Sequence, residues 1–129
     1  FRIIYNNENP SNVFSTHDAY RKHLETLEFL AHELDKYKDR KCVVATHHAP
    51  SKQGLNLDHS GHMEINAGYY SVLDKFILDR PQIQTWVHGH THIQKEYKIG
   101  ETNVLSNARG YEGYESCANR FTFDRWFEV

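Results

Sequence analysis

Two short apolar runs, each broken by a histidine-bearing turn, constrain this chain more than any other feature. One is Thr85-Trp86-Val87, which reads as a buried strand and gives way to His88-Gly89-His90-Thr91-His92. The other is Cys42 to Ala45, followed by Thr46-His47-His48-Ala49-Pro50. In extended backbone, residues i and i+2 project to the same side, so His90 and His92 are expected to face one small space beyond the strand end. Gly89 is expected to allow the sharp bend and a close backbone approach to a bound ion. By the same alternation His48 falls on the opposite side of its strand end from His47. Neutral imidazole is the commonest protein ligand for transition metals, so both turns are candidate ligand clusters. The competing reading for His90 and His92 is a pair of hydrogen-bonded turn histidines.

The rest of the pattern is α/β. Ser15-Thr16-His17-Asp18 has the form of an N-cap box. It opens a helix whose apolar residues Tyr20, Leu24, Leu27, Leu30, Ala31, Leu34 and Tyr37 recur at steps of three and four, while the opposite face is charged and solvated. Cys42 to Thr46 is apolar on both faces and is expected to be a central strand. A polar loop, Ser51 to Ile65, carries His59 and His62. A second helix is expected from about Ala67 to Leu78, stopped by Asp79-Arg80-Pro81. Next come a strand from Gln84 to His88 and a hairpin, Ile93 to Ile99 and Thr102 to Ser106, around Gly100-Glu101, a glycine-first two-residue turn. Phe121, Phe123, Phe127 and Val129 suggest a final strand, and Phe1 to Tyr5 a short β-like run. No repeat, low-complexity tract or linker interrupts the chain, so residues 1–129 are expected to form a single unit.

Composition narrows the function classes. A formal net charge of -2 argues against a strongly basic nucleic-acid surface. The chain has no apolar run long enough to span a membrane and no signal-peptide pattern, so a soluble, cytoplasmic protein with no membrane partner is expected. Cys42 and Cys117 do not make a disulfide framework. No Ser-His-Asp or Cys-His arrangement and no phosphate-cradling glycine loop is present, and nothing in the sequence activates Ser51. The first residue is Phe1, not methionine, which suggests a processed or excised C-terminal portion of a longer protein.

Val43 to Ser51 and Trp86 to His92 resemble, in order and spacing, the last two motifs of the calcineurin-like metallophosphoesterases. Tyr97 to Tyr111 resembles the hairpin and Asn-x-Arg-Gly-Tyr turn that follow them in one bacterial and phage branch, so the likeness covers roughly residues 40 to 111. It implies the C-terminal half of a two-sheet sandwich flanked by helices. It also implies hydrolysis of a phosphomonoester or phosphodiester by metal-bound hydroxide at a pair of divalent transition metals (Mn, Fe, Zn or Ni). In that scheme His90 binds one metal and His92 the other, and His47 joins His90, with His48 as the alternative to His47. His48, His88, Arg109 and His59 are the candidates for contact with the phosphoester substrate. For His88 simple packing is an equal reading, and for Arg109 a structural turn held by Asn107 and Gly110 is the simpler one.

The family's upstream Asp-x-His, Gly-Asp-x-x-Asp and Gly-Asn-His motifs are absent from this chain. It therefore supplies the neutral donors and not the bridging carboxylate, and its catalytic acid is unassigned. A separate N-terminal half chain, or a homo-oligomer, would have to complete the site. Nucleic acid stays among the candidate substrates because the family includes nucleases. The alternative from another class is a non-catalytic interaction module that keeps the phosphoesterase fold, as one retromer subunit does.

Overall fold

The structure is a computed structural model that describes residues 14–55 and 68–128. It divides into two compact units, residues 1–37 and residues 38–129. The β-like run at Phe1 to Tyr5 and the loop histidines His59 and His62 lie outside the described residues.

In the first unit, helix α1 (Thr16–Lys36) starts where the N-cap box was expected. The Ser15 hydroxyl accepts from the Asp18 backbone N–H at 3.2 Å, and the Asp18 carboxylate accepts from the Ser15 N–H at 3.0 Å and from its hydroxyl at 2.6 Å. Two backbone donors that the first turn leaves without helical partners are thereby satisfied. The apolar stripe is graded. Tyr20 and Leu24 are exposed, Leu27, Leu30 and Ala31 half-buried, and Leu34 buried.

The second unit is a mixed α/β arrangement around one four-stranded sheet of order β1-β2-β4-β3. Its strands are β1 (Cys42–Ala45), β2 (Ile83–His88), β3 (Gln94–Ile99) and β4 (Thr102–Asn107). β1 and β4 both run parallel to β2, and β3 pairs antiparallel with β4 across the two-residue turn at Gly100-Glu101. Trp86 is opposite Val104, His88 opposite Ser106 and Tyr97 opposite Val104, so these residues share one face. That face is the core side. Trp86 and Val104 are fully buried, and Phe76 of the short helix α2 (Asp74–Leu78) meets the Trp86 ring edge-on at 6.5 Å. On the opposite face Val87, Leu105, Arg125 and Phe127 line a cavity of about 260 Å³.

Three expectations are corrected. β1 is an edge strand, since among the described residues it pairs with β2 alone, and Val43 stays 44% exposed. Apolarity on both faces does not fix how many strands lie beside β1, and here one apolar face, Val43 and Ala45, is itself exposed. The second helix is only Asp74–Leu78, because residues 69–73 spend their backbone groups on the segment after β1. Ala49 N donates to Tyr69 O at 3.1 Å, Ser71 N to Ala49 O at 2.9 Å and Leu73 N to Pro50 O at 2.9 Å. The final strand does not form among the described residues either, and Val129 lies outside them. A turn at Phe123–Asp124 breaks the alternation, and Phe123 and Trp126 are 86% and 79% exposed. Side chains hold this segment instead. Asn107 Nδ2 donates to Thr122 O at 2.7 Å, and Arg125 pairs with Glu96 at 2.8 Å. Among the described residues no helix is long and apolar enough to cross a membrane.

Two outcomes follow from this packing. Trp86→Ala should lower the stability of the unit by about 3–5 kcal/mol, whereas Val43→Ala on the open side of β1 should change it by less than about 0.5 kcal/mol, both read by chemical denaturation. The Ser15 hydroxyl bond holds the Asp18 carboxyl below the usual carboxylate range. A depressed folded value means that the contribution is complete above the unfolded value and is lost as pH falls through the folded one. Protection of the first-turn amides of α1, taken relative to their intrinsic exchange rates at each pH, should therefore fall below the usual carboxylate range, and Asp18→Asn should remove that fall.

Candidate functional site

β4 lies between β2 and β3, so the chain leaving β2 must arch over the carboxyl end of β4 to reach β3. Residues 89–93 form that arch, and its footings are hydrogen bonds to neighbouring strand ends. Gly89 N donates to His47 O at 3.1 Å, and Ser106 Oγ donates to Ile93 O at 2.8 Å. Within the arch, Thr91 N donates to Gly89 O at 2.7 Å across His90, whose φ is 64°. This is a three-residue turn of the rare, positive-φ kind, which is strained for a residue with a side chain. His92 also has positive φ, at 48°. The sharp bending is thus in the two histidines and not in Gly89, which is outside the left-handed region.

The Gly89 carbonyl collects several donors. Besides Thr91 N it accepts from Thr91 Oγ1 at 3.4 Å and lies 3.1 Å from His88 Nδ1. With Nδ1 as the donor, His88 Nε2 keeps its lone pair, and that atom is buried with no partner among the described residues. Burial holds the His88 imidazole below its ordinary range, so it is neutral at pH 7. Tyr97, across the sheet with its ring centre 6.4 Å away, has a buried hydroxyl that also lacks a partner among the described residues. Burial, and then the charge of Asp74, push that phenol upward, so it stays protonated. His88 is 6% exposed and packs behind the arch.

Alternation fails beyond Ala45, where β1 has already ended in bends. His48 consequently joins His47 on the same side. Ring centres are 4.7 Å apart for His47 and His90, 4.7 Å for His48 and His90, and 5.3 Å for His47 and His48. A hydrogen-bond chain from the core positions this turn. Trp86 Nε1 donates to Thr46 Oγ1 at 2.9 Å, and the Thr46 hydroxyl donates to His48 O at 2.8 Å. Tyr69 stacks on His90 at 4.8 Å, and His90 Nε2 lies 3.2 Å from Gly68 O. Burial, followed by the nearby His47, lowers the His90 pKa and keeps the ring neutral.

His92 has different company. Its Nδ1 lies 2.9 and 3.1 Å from the two Glu115 carboxylate oxygens, and the Tyr111 ring meets it edge-on at 4.9 Å. Extended backbone would have aimed it with His90, but positive φ at both residues replaces that geometry. Arg109 pairs with Glu112 and lies 6.0 Å from the Phe123 ring, outside the imidazole cluster. Asn107 and Gly110 do structural work, Asn107 on Thr122 and Gly110 at φ 71°. The reading of the sequence missed Thr46, Tyr69 and Glu115. Thr46 had a signal, a hydroxyl directly between a strand and a histidine pair. Glu115 had none, because 23 residues separate it from its partner.

As donors, the neutral imidazoles suit a transition metal. Rings radiating from one ion through bonds of about 2.0–2.1 Å have centres about 4.5–5 Å apart, close to the spacing of this trio. Orientation is a separate matter. Among the described residues no group of three or more His, Cys, Asp or Glu side chains is arranged to hold an ion as it stands, and His90 Nε2 faces the Gly68 carbonyl. The trio is therefore closely spaced but is not arranged as a complete donor set.

The floor of the site depends on Gly54. A Cβ there would stand 2.7 Å from Ala49 Cβ, 3.0 Å from the Tyr97 hydroxyl and 3.1 Å from His88 Cε1. Gly54→Ala should cost about 1–3 kcal/mol in chemical denaturation. It should also shift the His88 ring resonances, since that ring must move to admit the methyl group. Compared with known proteins, no family model, no characterised sequence and no solved structure matches this chain.

Proposed function

We propose that this chain is the imidazole-donating, C-terminal half of a metal-dependent phosphoesterase of the calcineurin-like kind, acting on a phosphomonoester or phosphodiester. The observation that carries this reading is the meeting of three strand-end imidazoles, His47, His48 and His90, with ring centres no more than 5.3 Å apart. His90 with His47 would hold one divalent transition ion and His92 the second. His48 is as near to His90 as His47 is, so either ring can serve. A divalent pair bound there supplies positive charge that polarises a phosphoryl oxygen and makes hydroxide available near neutral pH.

The chain's own groups do the holding. Trp86 and Thr46 fix the first turn, the Gly89 carbonyl fixes the arch, and burial keeps His90 unprotonated for coordination. On this reading the bridging carboxylates come from the upstream motifs that are absent from this sequence, while Glu115 is engaged with His92. On this reading the four-stranded sheet is one layer of a two-sheet sandwich, and a second segment or chain brings the other layer and its aspartates.

A second reading is a non-catalytic interaction module or complementing subunit. It is favoured by the lack, among the described residues, of a group already arranged to hold an ion. Titration of the chain with Co²⁺, followed by visible absorption, separates the two. The phosphoesterase reading expects weak binding that His90→Ala weakens by more than about tenfold. It also expects little turnover of bis-p-nitrophenyl phosphate with Mn²⁺ by this chain alone. No Co²⁺ binding, or binding unchanged by His90→Ala, would leave the interaction module.

A further inference from the structure

We propose that Glu115 is the positioning residue for His92, holding Nδ1–H on its carboxylate so that the Nε2 lone pair is presented to a divalent transition ion. This deepens the phosphoesterase reading and, for the ion, rests on it. The geometry of the pair does not.

Glu115 sits in a loop with no regular structure at its position, yet its carboxylate has several partners. Both oxygens reach His92 Nδ1, at 2.9 and 3.1 Å, and Oε2 also accepts from the Tyr111 backbone N–H at 2.8 Å and lies 3.7 Å from Cys117 Sγ. A carboxylate bound to one imidazole nitrogen selects the tautomer in which that nitrogen carries the proton, and it raises the basicity of the other nitrogen. The His92 and Glu115 side chains are 28% and 27% exposed, sheltered enough to strengthen the bond.

The loop is built to admit this carboxylate. Gly110 has φ 71°, and a Cβ there would collide with both Glu115 Oε2 and Cys117 Sγ. The Arg-Gly-Tyr turn therefore has a physical purpose at each step. Arg109 anchors the loop to Glu112, Gly110 leaves room for the carboxylate, and Tyr111 gives Glu115 a backbone donor and His92 a ring edge. His92 needs such restraint, because positive φ is costly for a residue with a side chain and persists only where its surroundings over-determine it.

The test uses the full chain, with two readouts. Long-range ¹H–¹⁵N NMR reports the His92 tautomer without any metal, and Co²⁺ titration reports the affinity. The expected wild-type result is a His92 ring protonated at Nδ1. Glu115→Ala should release it to the Nε2–H form usual for a free imidazole, and lower Co²⁺ affinity about 10–100-fold. Glu115→Gln, whose carbonyl still accepts, should keep the tautomer and lose only part of the affinity. It also serves if the alanine variant does not fold. A wild-type ring protonated at Nε2, or Glu115→Ala with wild-type tautomer and affinity, would overturn the assignment. If the wild-type chain binds no Co²⁺ while Glu115→Ala still switches the tautomer, the phosphoesterase reading falls and the role of Glu115 in orienting His92 stands.

Discussion

The site depends on one topological constraint, the insertion of β4 between β2 and β3. Leaving β2, the chain must cross two strand spacings, about 10 Å, above the end of another strand. Residues 89–93 could span about 17 Å if fully extended. The surplus has to be folded away, and it is folded at His90 and His92, the residues with positive φ. Hydrogen bonds at both ends of the arch, Gly89 N to His47 O and Ser106 Oγ to Ile93 O, fix where the folded part stands. The imidazoles meet because sheet order leaves the loop little else to do.

Features governed by neighbours in sequence were legible before the structure. The Ser15–Asp18 box, the glycine-first hairpin turn and the strand from residue 84 to His88 each depend on a few adjacent residues, and each formed where expected. Features governed by distant partners were not. β1 became an edge because pairing order is a property of the sheet. The helix expected from Ala67 shrank because residues 69–73 bonded to Ala49 and Pro50, some 20 residues earlier in the chain. The last strand failed because Asn107 and Glu96 offered side chains where a ladder would have been needed.

At the site the same division holds. That histidines end two neighbouring strands was readable from the apolar runs, and the meeting of His47 with His90 follows from the parallel pairing of β1 and β2. The direction of each ring was not, since period-two alternation describes extended backbone and neither turn is extended. His48 moved into the cluster and His92 turned to the loop for that one reason. Glu115 and Tyr69 entered through tertiary contacts that no local pattern announces.

Positive φ at two alternate positions makes the arch less robust than its length requires. Glycine or asparagine would relax the backbone at either place, and strain of this kind costs on the order of 1–3 kcal/mol per residue. Both positions nevertheless carry imidazoles. Replacing either imidazole with glycine would therefore relax the arch, so the two rings stand at positions where the backbone itself gains nothing from them.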